Sequence, residues 1–174
     1  MKATFSRLIL AASAVVLSGF LLAPVQAGDE AQERAELAKA LAGAKVTLQS
    51  GVQTSASRGK PISAKFEVEE GKLQLSIYTM KGDGFSEVVI NPASGKVEKA
   101  DTITDKEDLQ HAEAQRAAMD KAKVTLLAAA DKALKSNSGY RAVSICPELK
   151  VDHPVAEITL LRGQEFKTVT EPLD

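Results

Sequence analysis

Apolar residues fall first at helical spacing and then at strand spacing, and the chain goes through this change twice. From Asp29, a candidate cap with Gln32 three residues on, Ala31, Ala35, Ala38 and Ala42 fall on one helical face with Leu37 and Leu41 beside them. Gly43 interrupts that helix. Thr47 can cap a second, short one ending near Arg58-Gly59, where glycine and then Pro61 stop it, although Gly51 weakens its interior. The period then changes to two. Ile62, Ala64, Phe66 and Val68 alternate with polar neighbours, and Leu73, Leu75 and Ile77 do so again after a Glu70-Gly71 turn. Lys81-Gly82-Asp83-Gly84 signals a hairpin into a third strand, Phe85 to Ile90. One face of this meander is apolar and needs helices to cover it.

The second half repeats that order. Thr104-Asp105-Lys106-Glu107 reads as a capping box, its acidic residues suiting the positive end of a helix dipole. The helical pattern continues to about Asn137 with a break near Thr125, and Leu127, Ala130 and Leu134 supply its buried stripe. Ser138-Gly139 ends it. Strand-like runs follow over Tyr140–Cys146, Pro154–Leu161 and Glu165–Thr170, with Arg162-Gly163 turning the last hairpin. Ala44-Lys45-Val46-Thr47-Leu48 recurs as Ala122-Lys123-Val124-Thr125-Leu126, and Asn91-Pro92 has a counterpart in Glu171-Pro172. A shared pentapeptide inside a shared element order points to duplication. The expected fold is therefore α+β: two repeats, each of helices packed on a small three-stranded antiparallel sheet. The repeats span residues 28–100 and 101–174, with the joint near Lys99 to Thr104.

Residues 1–27 are expected to be a signal peptide. Lys2 and Arg7 precede an apolar run, Leu8 to Leu22, and Pro24-Val25-Gln26-Ala27 places small residues where a signal peptidase reads them. The run is short of the roughly 20 residues a spanning helix needs, and no cysteine follows it to accept a lipid. The chain is therefore expected to be periplasmic or secreted, with no membrane attachment after cleavage. The remaining 147 residues carry 20 basic against 23 acidic side chains. That balance lacks the electrostatic footprint of a nucleic-acid binder.

Candidate chemistry is sparse. One cysteine and two histidines cannot build a four-ligand Cys/His zinc site within one chain. No G-x-S-x-G or H-E-x-x-H occurs, and the Lys81–Gly84 glycines join two strands rather than a strand and a phosphate-cradling helix. The expectation is no catalytic residue, no metal ligand and no cofactor: not an enzyme. His111, one turn after Glu107, reads as half of a surface pair, and His153 as a loop residue. Glu69-Glu70 reads as solvated at a turn. Cys146 stays open between a free thiol, half of an intermolecular disulfide and a buried small hydrophobe, with no neighbouring cation to activate it.

Residues 85–97, Phe-Ser-Glu-Val-Val-Ile-Asn-Pro-Ala-Ser-Gly-Lys-Val, resemble the closing strand and turn of a PepSY domain, the module of metallopeptidase propeptides and YPEB-type proteins. Gly59-Lys60-Pro61-Ile62-Ser63-Ala64 resembles that family's helix-to-strand junction, so the likeness spans about residues 47–97. The second copy, Thr125 to Asp174, is similar but degraded. Glu165–Thr170 fits the closing strand without the Gly-Lys-Val turn, and Cys146 aligns with Val68 or one residue off it. The resemblance implies a non-catalytic module that inhibits or chaperones a peptidase or envelope enzyme. Tyrosine contributes disproportionately at interfaces, and two tyrosines are the candidate partner-binding residues. Tyr78 is out of phase with inward-facing Ile77, and Tyr140 opens a strand. The alternative is a periplasmic small-ligand or metal carrier, with Asp152 and His153 near its site.

Overall fold

The computed structural model describes residues 26–174, so the expected leader, apart from its last two residues, lies outside the described residues. Four helices, α1 (Gln26–Leu41), α2 (Leu48–Ser55), α3 (Lys106–Lys121) and α4 (Leu126–Ser136), accompany seven strands. The strands are β1 (Lys60–Glu69), β2 (Lys72–Lys81), β3 (Gly84–Ile90), β4 (Val97–Thr102), β5 (Arg141–Lys150), β6 (His153–Arg162) and β7 (Glu165–Pro172).

The strands form one antiparallel sheet in the order β4-β3-β2-β1-β5-β6-β7. This overturns the expected pair of three-stranded sheets. The opening strands of the two halves, β1 and β5, pair with each other, Ala64 opposite Ile145 and Lys65 opposite Ser144. A separate sheet in each half would leave both strands with an unpaired backbone edge beside buried apolar side chains such as Ala64 and Ile145; joining them removes two edges at once. β4 was also absent from the sequence reading. Only Val97 and Ala100 among its six residues are apolar, five of the six are exposed, and it runs through the expected joint.

The duplicated pentapeptide performs one local task twice. Thr47 caps α2, accepting from the Ser50 amide, and Thr125 caps α4, accepting from the Ala128 amide. The amides of Lys45 and Val46 donate to Pro92 O, and those of Lys123 and Val124 to Leu173 O. A bulge breaks β1 between Pro61 and Ser63 and β5 between Ala142 and Ser144. Asp105 caps α3 through the Glu107 and Asp108 amides. Between the pentapeptide and the first strand the halves differ in the length of one helix: α2 has 8 residues and α4 has 11. Strand counterparts therefore lie 81 residues apart, as Lys60 and Arg141 do, while the pentapeptides lie 78 apart. Cys146 consequently occupies the place of Lys65, not that of Val68, and the expected register is corrected by those three residues.

One face of the sheet carries the main apolar set. Ile62, Ala64, Phe66, Leu75, Ile77, Val88, Ile90, Ile145, Ala156, Ile158 and Leu160 are each 2% exposed or less. α2 lies on this face so closely that a Cβ on Gly51 would stand 2.2 Å from Leu75 Cδ2, which is why that helix tolerates glycine at its centre. α4 joins it there, with Gln49 of α2 donating to Asp131 of α4 at 3.2 Å. α3 crosses the opposite face, its Asp108 reaching Tyr78 on β2 and its Gln115 reaching Cys146 on β5.

Because the halves share one sheet and one core, Ile145→Ala is expected to lower stability by about 2–5 kcal/mol within a single urea transition. Two separate transitions, only one of them moved by the substitution, would show that the halves fold independently.

Candidate functional site

The face crossed by α3 is polar where the other is apolar, and two side chains decide what that face can do. On β1 and β2, register places Glu67 opposite Gln74 and Lys65 opposite Ser76. Ser76 donates to Glu67 Oε1 at 2.6 Å, and Gln74 Nε2 donates to Glu67 Oε1 at 3.1 Å and to Glu69 Oε2 at 2.7 Å. Lys65 Nζ lies 2.6 Å from Glu67 Oε2, with both side chains mostly covered. Glu69 is thus no solvated turn residue; its Gln74 partner was invisible in sequence because it comes from the neighbouring strand.

Glu87 on β3 adjoins this network, opposite Tyr78 on β2. Its Oε1 is buried with no hydrogen-bond partner. Burial pushes the Glu87 carboxyl up to about 7, and the charges of Glu67 and Glu69 add to the rise, against the pull of Ser76 and Lys99.

Tyr78 does point away from the apolar face, as its phase predicts, but it is not exposed. It is 7% exposed, and its hydroxyl donates to Asp108 Oδ1 at 3.1 Å. Burial, followed by the charge of Asp108, drives the phenol well above its ordinary range, so it stays protonated. α3 covers Tyr78, and one sequence cannot show that a helix 30 residues on crosses the second face. As a candidate contact residue Tyr78 is corrected to a core residue.

Tyr140 sits partly exposed just ahead of β5, with the Arg162 guanidinium 4.5 Å from its ring centroid. A hydrogen bond with Glu165 raises its pKa and lowers that of Glu165. Arg162 Nη2 donates to Glu165 Oε2 at 2.8 Å across the β6–β7 turn. Beside this trio, exposed Arg34 of α1 lies 5.8 Å from the Phe166 ring centroid on β7. Arg141 is structural: it donates to Leu41 O at 2.9 Å and Val46 O at 3.1 Å, and lies 5.5 Å from the Phe66 centroid. Three arginine–aromatic contacts thus gather at one end of the sheet. The sequence reading named Tyr140 but missed the arginines, whose spacing is tertiary.

The remaining candidates lie apart. Asp152 pairs with Lys121, and His153 Nδ1 is 3.0 Å from Asp174 Oδ2. Among the described residues, no group of three His, Cys, Asp or Glu side chains is placed to hold a metal ion. Cys146 is largely covered by α3, and burial pushes its thiol up to about 11, which keeps it protonated. Gln115, 6% exposed, donates to its sulfur at 3.6 Å.

No family model matches the sequence, and no curated protein matches it. A solved structure that does match is described as a "putative lipoprotein" from Clostridium difficile 630. It is 16% identical over 66% of this chain and 75% of that one, with a TM-score of 0.40. A likeness of that size assigns neither ancestry nor activity to this chain. Among the described residues no helix is long and apolar enough to cross a membrane.

Glu87 sets a pH dependence. Its folded pKa of about 7 lies above the ordinary 4.5, so its contribution to stability is fully present below about pH 4.5 and is lost as pH rises through 7. Glu87→Gln is expected to abolish that loss. The variant should gain about 1–2 kcal/mol over the parent at pH 8, after discounting for its partial exposure, and almost nothing at pH 4.5. Urea midpoints at the two pH values measure it, and an equal difference at both would refute the buried carboxylate.

Proposed function

We propose that this chain is an exported, periplasmic, non-catalytic protein-binding module whose contact surface is the arginine–aromatic end of the sheet around Tyr140. The observation that carries this reading is the stacking of Tyr140 against Arg162 and of Phe166 against Arg34, at an end where the side chains stay open to solvent. Tyr and Arg are the side chains most enriched among residues that dominate binding energy. A planar guanidinium held over a ring also loses little freedom when a partner arrives. Export rests on the leader-like composition of residues 1–27. That the partner is a peptidase or envelope enzyme, inhibited or chaperoned, rests on the PepSY-like residues 85–97 alone.

The test is affinity capture from an envelope extract, with Tyr140→Ala and Arg162→Ala as the variants and Tyr78→Phe as a control within the core. A partner should be retained by the parent and by Tyr78→Phe and released by either surface variant, with a loss of about tenfold or more in affinity. Equal retention by Tyr140→Ala and Arg162→Ala would remove this surface from the interaction.

A further inference from the structure

We infer that β7 accepts an extended, acidic segment of the partner as an eighth strand of the sheet. Its backbone would pair with Phe166, Thr168 and Thr170, and its carboxylates would meet Arg34, Arg162 and Lys167. This deepens the protein-binding reading and rests on it.

The two edges of the sheet are built differently. β4 is short and blunted. Its Glu98, Lys99 and Asp101 are exposed, Lys99 Nζ pairs with Asp101 Oδ2 at 2.9 Å along the strand, and Asn91 holds Glu98 at 2.6 Å. Its register with β3 also slips at Ile90. Self-neutralised charges and a bulge are how an edge is protected from pairing. β7 runs in unbroken register with β6 from Glu165 to Pro172. Its charged members are held elsewhere: Lys167 donates to Asn137 Oδ1 at 2.6 Å and Glu171 lies 2.7 Å from Lys132 Nζ.

The direction of its free backbone groups follows from one bond. The Leu173 amide donates to Pro154 O, in step with the β6–β7 register. Counting back by twos, Glu171, Val169 and Lys167 turn their backbone groups to β6, and Thr170, Thr168 and Phe166 turn theirs outward. Thr168 and Thr170 are exposed. Threonine suits a strand, and an incoming segment gains affinity from main-chain hydrogen bonds and specificity from alternate side chains.

Charge selects the segment. Arg34 lies over Phe166 on one face of β7, while Arg162 and Lys167 share the other face. Against these three cations stand Glu165, already engaged by Arg162 and Tyr140, and Glu171, neutralised by Lys132. The surplus is positive on a chain whose formal net charge is -1. A segment with carboxylates at adjacent positions, which point to opposite faces of a strand, meets a cation on each face of the sheet.

Fluorescence anisotropy with the exported chain tests this, using a labelled ten-residue peptide of Glu-Glu pairs separated by Val-Val pairs and its counterpart with Lys in place of Glu. The acidic peptide should bind and the basic one should not, with binding that weakens as salt rises. Thr168→Pro removes an outward N–H without touching the β6 ladder and should weaken binding by about tenfold or more. Ala100→Pro, the matching change on β4, should leave it unaltered. If Thr168→Pro disturbs the thermal melt, the paired exposed changes Arg34→Glu and Arg162→Glu carry the same expectation. Equal binding of both peptides, no binding of either, or full binding by the variants would overturn the inference. So would a dimer in light scattering that Thr168→Pro dissolves, because the edge would then serve a second copy. A captured partner that Thr168→Pro still retains would refute strand addition while leaving the protein-binding reading intact.

Discussion

The pairing of β1 with β5 is the contact on which the rest of this molecule depends. Ala64 opposite Ile145 and Lys65 opposite Ser144 turn two short meanders into one sheet. Each half alone has about 70 residues, a size at which a single small core is only marginally sufficient. By abutting their first strands the halves cover each other's edges. α2 and α4 then lie side by side on the continuous apolar face, and Phe66, Ile77, Ile145 and Ile158 belong to one buried cluster.

The same pairing explains the polar second face. Every strand with an apolar set facing α2 and α4 must present its alternate residues to the other side, and α3 covers only part of it. Tyr78 and Cys146 fall under that helix, which reaches them through Asp108 and Gln115. Lys65, Glu67, Gln74 and Ser76 satisfy one another through hydrogen bonds that bridge two strands. Glu87 is left with an unpartnered oxygen and an elevated pKa. Buried carboxylates without full partners cost stability, so the network is held by the register of β1 with β2 rather than the reverse.

The recurrence of one element order makes the differences between the halves informative. With strand counterparts 81 residues apart, Arg162 corresponds to Lys81, Tyr140 to Gly59 and Phe166 to Phe85. Gly59 admits no side chain, since a Cβ there would stand 2.8 Å from Met80 O. One end of the sheet therefore carries a stacked tyrosine–arginine pair and the other a close backbone approach. The scaffold is common to both ends; the tyrosine–arginine pair is confined to one.

Elements governed by neighbours in sequence were legible from the residues alone. The Thr47 cap, the start of α3 within residues 104–107 (with Asp105, one residue beyond the expected Thr104, as the cap), the Glu70-Gly71 and Lys81–Gly84 turns and the alternation along β1 and β2 all arise from interactions a few residues apart. The repeat was equally open to reading, because the pentapeptide does the same capping work twice. The count of strands in the sheet was not legible, nor was the burial of Tyr78 or the gathering of Arg34 and Arg162 over aromatic rings. β4 lacks an apolar period because it is an edge, Tyr78 is sealed by a helix from the other half, and the arginines converge from α1 and β6. Alternation along a strand determines which way a side chain points; what meets it there is decided by elements packed from far along the chain.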